Sequence, residues 1–394
     1  MSDVRIQGEK IPFEHTGPQT HAGRYIRRFW QPLYLSADLP RKTSKFITVM
    51  SDDFTLYRGE HGEAHLVDAR CPHRGARLAL GWVEGSSLRC RYHGWKFDAS
   101  GQCVDQPAEA SCFAHKVRIR SYPLLERYGV AWGFLGDGPP PPFPEFFSSQ
   151  EELEHFHFVM IRKYNYFQDL ENLIDDVHLS FLHTLSNFRE PSWGRSPPPI
   201  AAVPSIHAKE TRFGLLQKSS SSDGRGRAVA FVMPNAVYFK TAAHRQLLGF
   251  DAMNWAIPID DHSHTFLQMV AVPKAQADAI ERFRVLYEGP TKNGRDKALR
   301  YLDEEVSAVL EGRKTIDNLE DRGLETVHIE DCAMQASQGL TCDRTRESLG
   351  KSDKGIILLR KMWNRELMAL ARGASLTSFG VPDRLASLRS AVEG

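Results

Sequence analysis

The stretch CPHRGARLALGWVEGSSLRCRYHGW, residues 71–95, decides how this 394-residue chain is read. It sets Cys71 and His73 as C-x-H, then sixteen residues, then Cys90 and His93 as C-x-x-H. Two thiolates and two imidazoles delivered on two short loops are the ligand set of a Rieske [2Fe–2S] centre, with the cysteines on one iron and the histidines on the other. Neutral imidazole in place of thiolate leaves the cluster less negative, so it takes up an electron more easily. Ligand type alone also fits a structural Cys₂His₂ zinc site. Two details favour the cluster. The first loop interleaves Cys with His, whereas zinc modules usually pair like ligands. Glycines also stand beside the ligands, at Gly75 and Gly94, where a bare backbone can approach sulfur closely.

Working outward, the composition is that of an ordinary globular protein, with 41% hydrophobic residues, 25% charged residues and a net charge of +1. Neither a nucleic-acid partner nor a membrane surface is implied, since there is no block of like charge. No run of eighteen apolar residues marks a membrane span. MSDVRIQGEKIPFEH has no apolar signal region, so a cytoplasmic location is expected. Of the six cysteines, 103, 112, 332 and 342 are expected to be ordinary thiols rather than disulfides.

Residues 22–30 read as a short amphipathic helix. From about Lys45 to Gly136 short strands alternate with turn signals, as in KFITVM, DFTLYR, AHLVDA and GVAWGFLG, which suits a β-sandwich with the Cys/His loops at one end. GDGPPPPFPEF (136–146) continues neither a helix nor a sheet and reads as a stiff linker. Beyond it, 167–185 reads as a helix. Residues 206–272 read as antiparallel strands, including FVMPNAVYF and FLQMVAVP, and 275–338 and 355–372 as helices. SSSSDGRGR (219–227) reads as a flexible hairpin or loop. Strands grouped between helices imply an α+β class.

The segment Cys71–Trp95, continuing as KFDASGQCVDQPAE, resembles the Rieske domain of bacterial non-haem iron ring-hydroxylating oxygenases, in particular the α-subunits of the phthalate 4,5-dioxygenase-like group. The likeness returns at YNYFQDLENLIDDVHLSFLH (164–183), MNWAIPIDDHSHTF (253–266) and HIEDCAMQASQG (328–339), in the family's order. It implies an N-terminal Rieske β-sandwich and a C-terminal catalytic domain in which helices flank an antiparallel sheet. The expected divisions are a helical segment packing on the catalytic domain (1–40), the Rieske domain (41–136), the proline-rich linker (137–148) and the catalytic domain (149–394).

A second motif, N-x-x-D-x-x-H-x₄-H, comprises Asn172, Asp175, His178 and His183. Histidines five apart do not share a face of an ideal helix, so a common ligand role needs a bent helix or a helix end. A mononuclear Fe(II) site takes two His, one carboxylate and open positions for O₂. From the residues alone Asp303, Glu304, Glu305, Asp321, Glu330 and Asp331 all compete for the carboxylate. The resemblance implies Asp331, and a helix rotation of about 100° is expected to point Glu330 elsewhere. Asp175 stands three residues before His178, close enough on one helix face to orient its imidazole. The resemblance gives Asp175 a further, catalytic role as the bridge from His178 to His93 of a neighbouring subunit, which requires a head-to-tail homotrimer or stacked trimers. His155/His157 and His262/His264 lack accompanying carboxylates and read as structural pairs.

No G-x-G-x-x-G fingerprint occurs, so the chain needs an external electron source. An NAD(P)H-dependent reductase is expected, with or without a ferredoxin, docking at Arg74, Arg77, Arg89 or Arg91. The expected reaction is O₂-dependent hydroxylation of a small aromatic substrate, with an aromatic acid favoured, and O- or N-demethylation is the alternative. Phe181, Leu182, Phe231, Val237, Phe239 and Trp255 are candidate pocket residues. Lys240, His244 and Arg245 are candidate anchors for a carboxylate. A Rieske electron-transfer protein or a descendant with a dead iron site would contain two irons per chain rather than about three.

Overall fold

Thr43–Val49 and Asp52–Arg58 are rich in the β-branched and aromatic residues that favour strands. In the computed structural model they pair antiparallel and are joined by Ala64–Asp68 and Ser121–Tyr122 in a four-stranded sheet. The model describes residues 11–147, 152–183, 203–222, 226–240, 249–288, 292–320 and 322–379. A second four-stranded sheet is built from Trp82–Glu84, Ser87–Arg89, Lys96–Phe97 and Cys103–Asp105. A third, of Gln31–Leu35, Val130–Gly133 and Leu124–Arg127, completes this unit. Tyr57, Leu78, Leu88 and Phe97 belong to the core packed against Cys71 and Cys90.

The chain divides into two compact units, one of Ile26–Phe143 with Ile257–Asp260, the other of the remainder. Its N-terminal helix is only His21–Ile26. The expected helical segment to residue 40 is corrected here, because the backbone of Gln31–Leu35 is paired with Val130–Gly133 in the first unit. The proline-rich stretch expected as a linker straddles the division. Its first half is held to the first unit, where Trp30 Nε1 donates to the carbonyl of Pro141 over 2.9 Å.

The second unit is α+β. Its seven-stranded sheet runs, in spatial order, Leu153–Arg162, His264–Pro273, Asp251–Pro258, Ala236–Lys240, Gly226–Val232, Gly214–Ser220, Ser205–Thr211. FVMPNAVYF is two strands rather than one, since Val232 pairs with Ala236 across the Met233–Asn235 turn. The serine-rich stretch is a hairpin in which Ser219 pairs with Arg227, and its tip lies outside the described residues. Helices Ala277–Glu288, Lys292–Leu310, Leu324–Ser337 and Lys354–Ala371 follow the sheet. The expected 167–185 helix is two, Tyr166–Ile174 and Val177–Phe181, broken where Asp175 takes an extended conformation (φ −80°, ψ 118°). Asn165 caps the first by accepting a hydrogen bond from the amide of Phe167. Among the described residues no helix is long and apolar enough to cross a membrane.

Candidate metal centres and the adjoining cavity

The two Cys/His loops share one backbone design. Cys71 N–H donates to Ala76 O and Gly75 N–H to Cys71 O, at 2.8 and 2.9 Å. Cys90 N–H donates to Trp95 O and Gly94 N–H to Cys90 O, at 2.8 and 3.0 Å. Gly75 and Gly94 both adopt positive φ, 73° and 79°, which a side chain would strain. The loops bring the His73 and His93 rings to 4.4 Å between centroids, with His73 stacked on Trp95 at 4.6 Å. Both thiols are buried, and burial pushes that of Cys71 up to about 12, with the neighbouring Cys90 adding to the shift. A thiol buried like that of Cys71 ionises only beside a strong positive charge. The Nδ1 atom of His73 is buried without a hydrogen-bond partner. Two buried thiols and an orphaned imidazole nitrogen are the donors a Rieske cluster takes, and the loops fit it.

Arg89 is not the docking residue expected of it. Its guanidinium binds Glu84 at 2.7 Å, Asp105 at 2.8 Å and the carbonyl of Gly94 at 2.8 Å, so it braces the second loop from behind. Arg74, Arg77 and Arg91 are exposed and lie over Tyr92, Phe46 and Trp82.

In the second unit His178, His183 and Asp331 come together, each offering one ligand atom within 4.8 Å of the others. His178 Nε2 lies 3.6 Å and His183 Nε2 3.5 Å from the same oxygen, Asp331 Oδ1. The break at Asp175 permits this. His178 sits on the short second helix and His183 just beyond its end, so the five-residue spacing never has to fit one helix. Asn172 donates to Asp331 Oδ1 over 3.1 Å and is itself held by Gln335 Nε2 at 2.9 Å.

Each imidazole turns its other nitrogen to a carboxylate. His178 Nδ1 is 3.6 Å from Asp175 Oδ2, and His183 Nδ1 is 2.7 Å from Glu330 Oε2. Sequence reasoning missed Glu330, which is fully buried. The only signal was its place beside Asp331, and a helix rotation of about 100° was wrongly expected to turn it away. Burial opposes the charge of His178, yet Asp175 and Asp331 outweigh it and raise its pKa. Burial likewise works against the Asp331 carboxylate, and His183 and His178 hold it below its usual range. Three carboxylates around two imidazoles make a site of negative potential. Both Nε2 atoms face inward, which suits a divalent iron with open positions.

The triad opens onto a cavity whose apolar wall includes Leu173, Leu179, Phe239, Phe266 and Leu324. Its polar wall is Arg162, Arg227, Asn254, Gln268 and His328. Strand register explains the selection. Phe239 pairs with Ala252 and Val237 with Asn254, so these four share a face of the sheet. Lys240 and Trp255 are one residue out of step and point to the other face. There Lys240 binds Asp251 at 3.1 Å, and the expected carboxylate anchor is corrected. Trp255 packs on Phe146. Phe181 is exposed, and Phe231 and Val237 are buried in the sheet. His244 and Arg245 lie outside the described residues. His264 is a structural pin, 3.2 Å from Asp169 and 2.9 Å from the Tyr164 carbonyl. All six cysteines are free.

Residues 29–123 match the Rieske [2Fe-2S] domain and residues 141–387 the LigXa C-terminal domain like family. The chain is 27% identical to the 5,5'-dehydrodivanillate O-demethylase oxygenase subunit of Sphingobium, over 93% of this chain and 81% of that protein. It is also 27% identical to the phthalate 4,5-dioxygenase oxygenase subunit of Pseudomonas putida, over 94% and 88%. Among solved structures, the terminal oxygenase of carbazole 1,9a-dioxygenase from Novosphingobium superposes with a TM-score of 0.62 at 18% identity, covering 88% of this chain and 94% of that one. The reduced complex between oxygenase and ferredoxin in carbazole 1,9a-dioxygenase gives 0.59 at 17% identity, over 89% and 93%.

Proposed function

We propose, for a chain that belongs to the Rieske oxygenase α-subunits with a LigXa-like C-terminal domain, that it oxygenates a small aromatic substrate bound beside His178, His183 and Asp331. As a terminal oxygenase it is an oxidoreductase with a Rieske [2Fe–2S] cluster and a mononuclear iron. Cys71, His73, Cys90 and His93 would hold the cluster, and His178, His183 and Asp331 the iron. When bound, these groups supply one-electron storage and O₂ activation. The convergence of two imidazole Nε2 atoms on one carboxylate oxygen, at the wall of a mostly apolar cavity, carries the reading.

The protein's own work is orientation. Glu330 accepts a hydrogen bond from Nδ1–H of His183, and Asp175 faces Nδ1 of His178, so both Nε2 lone pairs point to the metal position. Asn172 fixes the carboxylate of Asp331. Asp175 is also the proposed link for electrons arriving from His93 of a neighbouring copy in a trimer or stacked trimers. In support, it lines a concave surface with Glu171, Gln335, Arg346 and Arg360. The proposed electron donor is an NAD(P)H-dependent reductase, directly or through a ferredoxin. Exposed Leu80, Trp82 and Tyr92, with Arg74 and Arg91 over the two aromatic rings, suit an acidic partner with an apolar rim.

O-demethylation is the second reading, and one observation favours it over an aromatic acid. Both arginines of the cavity are already matched to carboxylates, Arg162 to Asp169 and Arg227 to Asp176. The test is substrate-dependent O₂ and NADH consumption with a surrogate reductase, over aromatic acids and methoxy-aromatics. Formaldehyde release marks demethylation, and ¹⁸O in a ring hydroxyl marks ring oxygenation. Consumption with neither class, in protein loaded with about three irons, would refute the substrate assignment.

A further inference from the structure

His328, on the helix Leu324–Ser337, lines the same cavity as the metal triad. It is buried to 4% exposure. Its Nδ1 lies 2.9 Å from Nη2 of Arg162. A guanidinium has donors only, so Nδ1 accepts and carries no hydrogen. Arg162 is in turn locked: it bonds Asp169 and the Tyr164 hydroxyl, and its Cζ lies 3.9 Å over the Phe266 ring. Asp169 is held besides by Tyr164 at 3.1 Å and His264 at 3.2 Å. The imidazole plane is fixed as well, lying parallel to Phe158 at 4.5 Å with an interplanar angle of 1°.

The single ring proton therefore sits on Nε2, which is buried and has no hydrogen-bond partner among the described residues. A buried donor left unmet is a penalty that a fold normally avoids. Burial, and then the charge of Arg162, push the imidazole down to about 3, so the ring stays neutral at working pH. The cation behind it also polarises the ring and strengthens the Nε2–H donor.

We propose that His328 is a substrate-binding residue whose Nε2–H donates to an oxygen acceptor on the aromatic substrate. It selects aromatics carrying a carboxylate or ether oxygen over bare hydrocarbons. The proposal deepens the functional reading above and rests on the cavity being the substrate site. It says why the pocket can hold an oxygenated ring without an unmatched cation. An apolar analogue leaves the donor buried and unmet, the condition under which a site discriminates strongly.

The probes are benzoate, anisole and toluene, titrated calorimetrically into the iron-loaded full chain. Wild type should bind benzoate or anisole at least about tenfold more tightly than toluene. A preference for benzoate assigns an anionic oxygen, and one for anisole a neutral ether oxygen. Nε2-methylhistidine at position 328 keeps the Arg162 contact but removes the donor, and should bring the ratio to near one with an unchanged melting temperature. His328→Gln can accept from Arg162 with its carbonyl and donate with its amide, and should retain the preference. The proposal is overturned if the methylated variant keeps the wild-type ratio, if wild type binds toluene as well as the other two, or if it binds none of the three. These outcomes concern binding alone. A failed oxygenase reading would instead appear as absent O₂ consumption with selective binding intact.

Discussion

At the scale of single residues, Glu330 and Asp331 would divide one task in the proposed iron site. Asp331→Ala should empty the mononuclear site while the reduced Rieske EPR signal persists, because two neutral imidazoles alone hold Fe(II) weakly. Iron and acid-labile sulfide assays check this, and loss of both signals together would mean a folding defect instead. Glu330→Ala should be damaging too, since it strips the buried partner from His183 Nδ1. Iron affinity should fall about 10–100-fold, with Glu330→Gln milder because an amide oxygen can still accept. Asp175→Asn should keep both metal centres and lower turnover by about tenfold or more. Wild-type turnover in that variant would exclude Asp175 from the electron route. His178 and His183 were legible because their spacing is local. Asp331 lies 148 residues beyond His183 and needed the family likeness, while Glu330 became legible only through the fold.

At the scale of elements, strand register and helix breaks decide which side chains meet. The alternation that puts Phe239 on the cavity face puts Lys240 on the opposite one, although both stood in a stretch rightly read as β. Sequence shows the strand and not its phase against the partner strands, so the anchor was placed one residue out of step. His155, on the strand Leu153–Arg162, gives a pH test of the same sheet. Burial, helped by His157, pushes its imidazole down to about 4. Its ordinary value is about 6.5. Between those values the unfolded chain binds the extra proton, so the contribution is complete above the upper value and falls away as pH drops to the lower one. It amounts to at most about 3 kcal/mol. Urea unfolding at either end of this window should show a smaller acid loss for His155→Gln, and an identical loss would remove His155 as a cause. In the cluster-bearing sheet, Arg89→Ala should cost about 1–3 kcal/mol and lower the temperature at which visible Rieske absorbance is lost, because the Gly94 loop loses its brace.

At the scale of the whole molecule, the two-unit plan and its α+β class were legible from proline punctuation and the change of periodicity, but the path of the chain was not. The strand Asp251–Pro258 begins in one unit, and its continuation Ile257–Asp260 belongs to the other. There Pro258 O accepts from the amide of Met50 and Ile259 O from that of Ser51, both over 2.7 Å. Composition cannot announce such a return, because four residues carry no pattern of their own. The consequence is genealogical as much as structural. A cluster-bearing unit whose last piece, Ile257–Asp260, follows Phe143 only after 113 intervening residues is a poor candidate for transfer as a cassette. Cut after Phe143, it would leave two backbone donors at the Met50–Ser51 corner bare, and a chimaera joined at the proline run should lose cluster yield unless residues 257–260 travel with it. Lineages of this architecture are therefore expected to diversify by point change within an inherited whole, with recombination at the visible seam selected against.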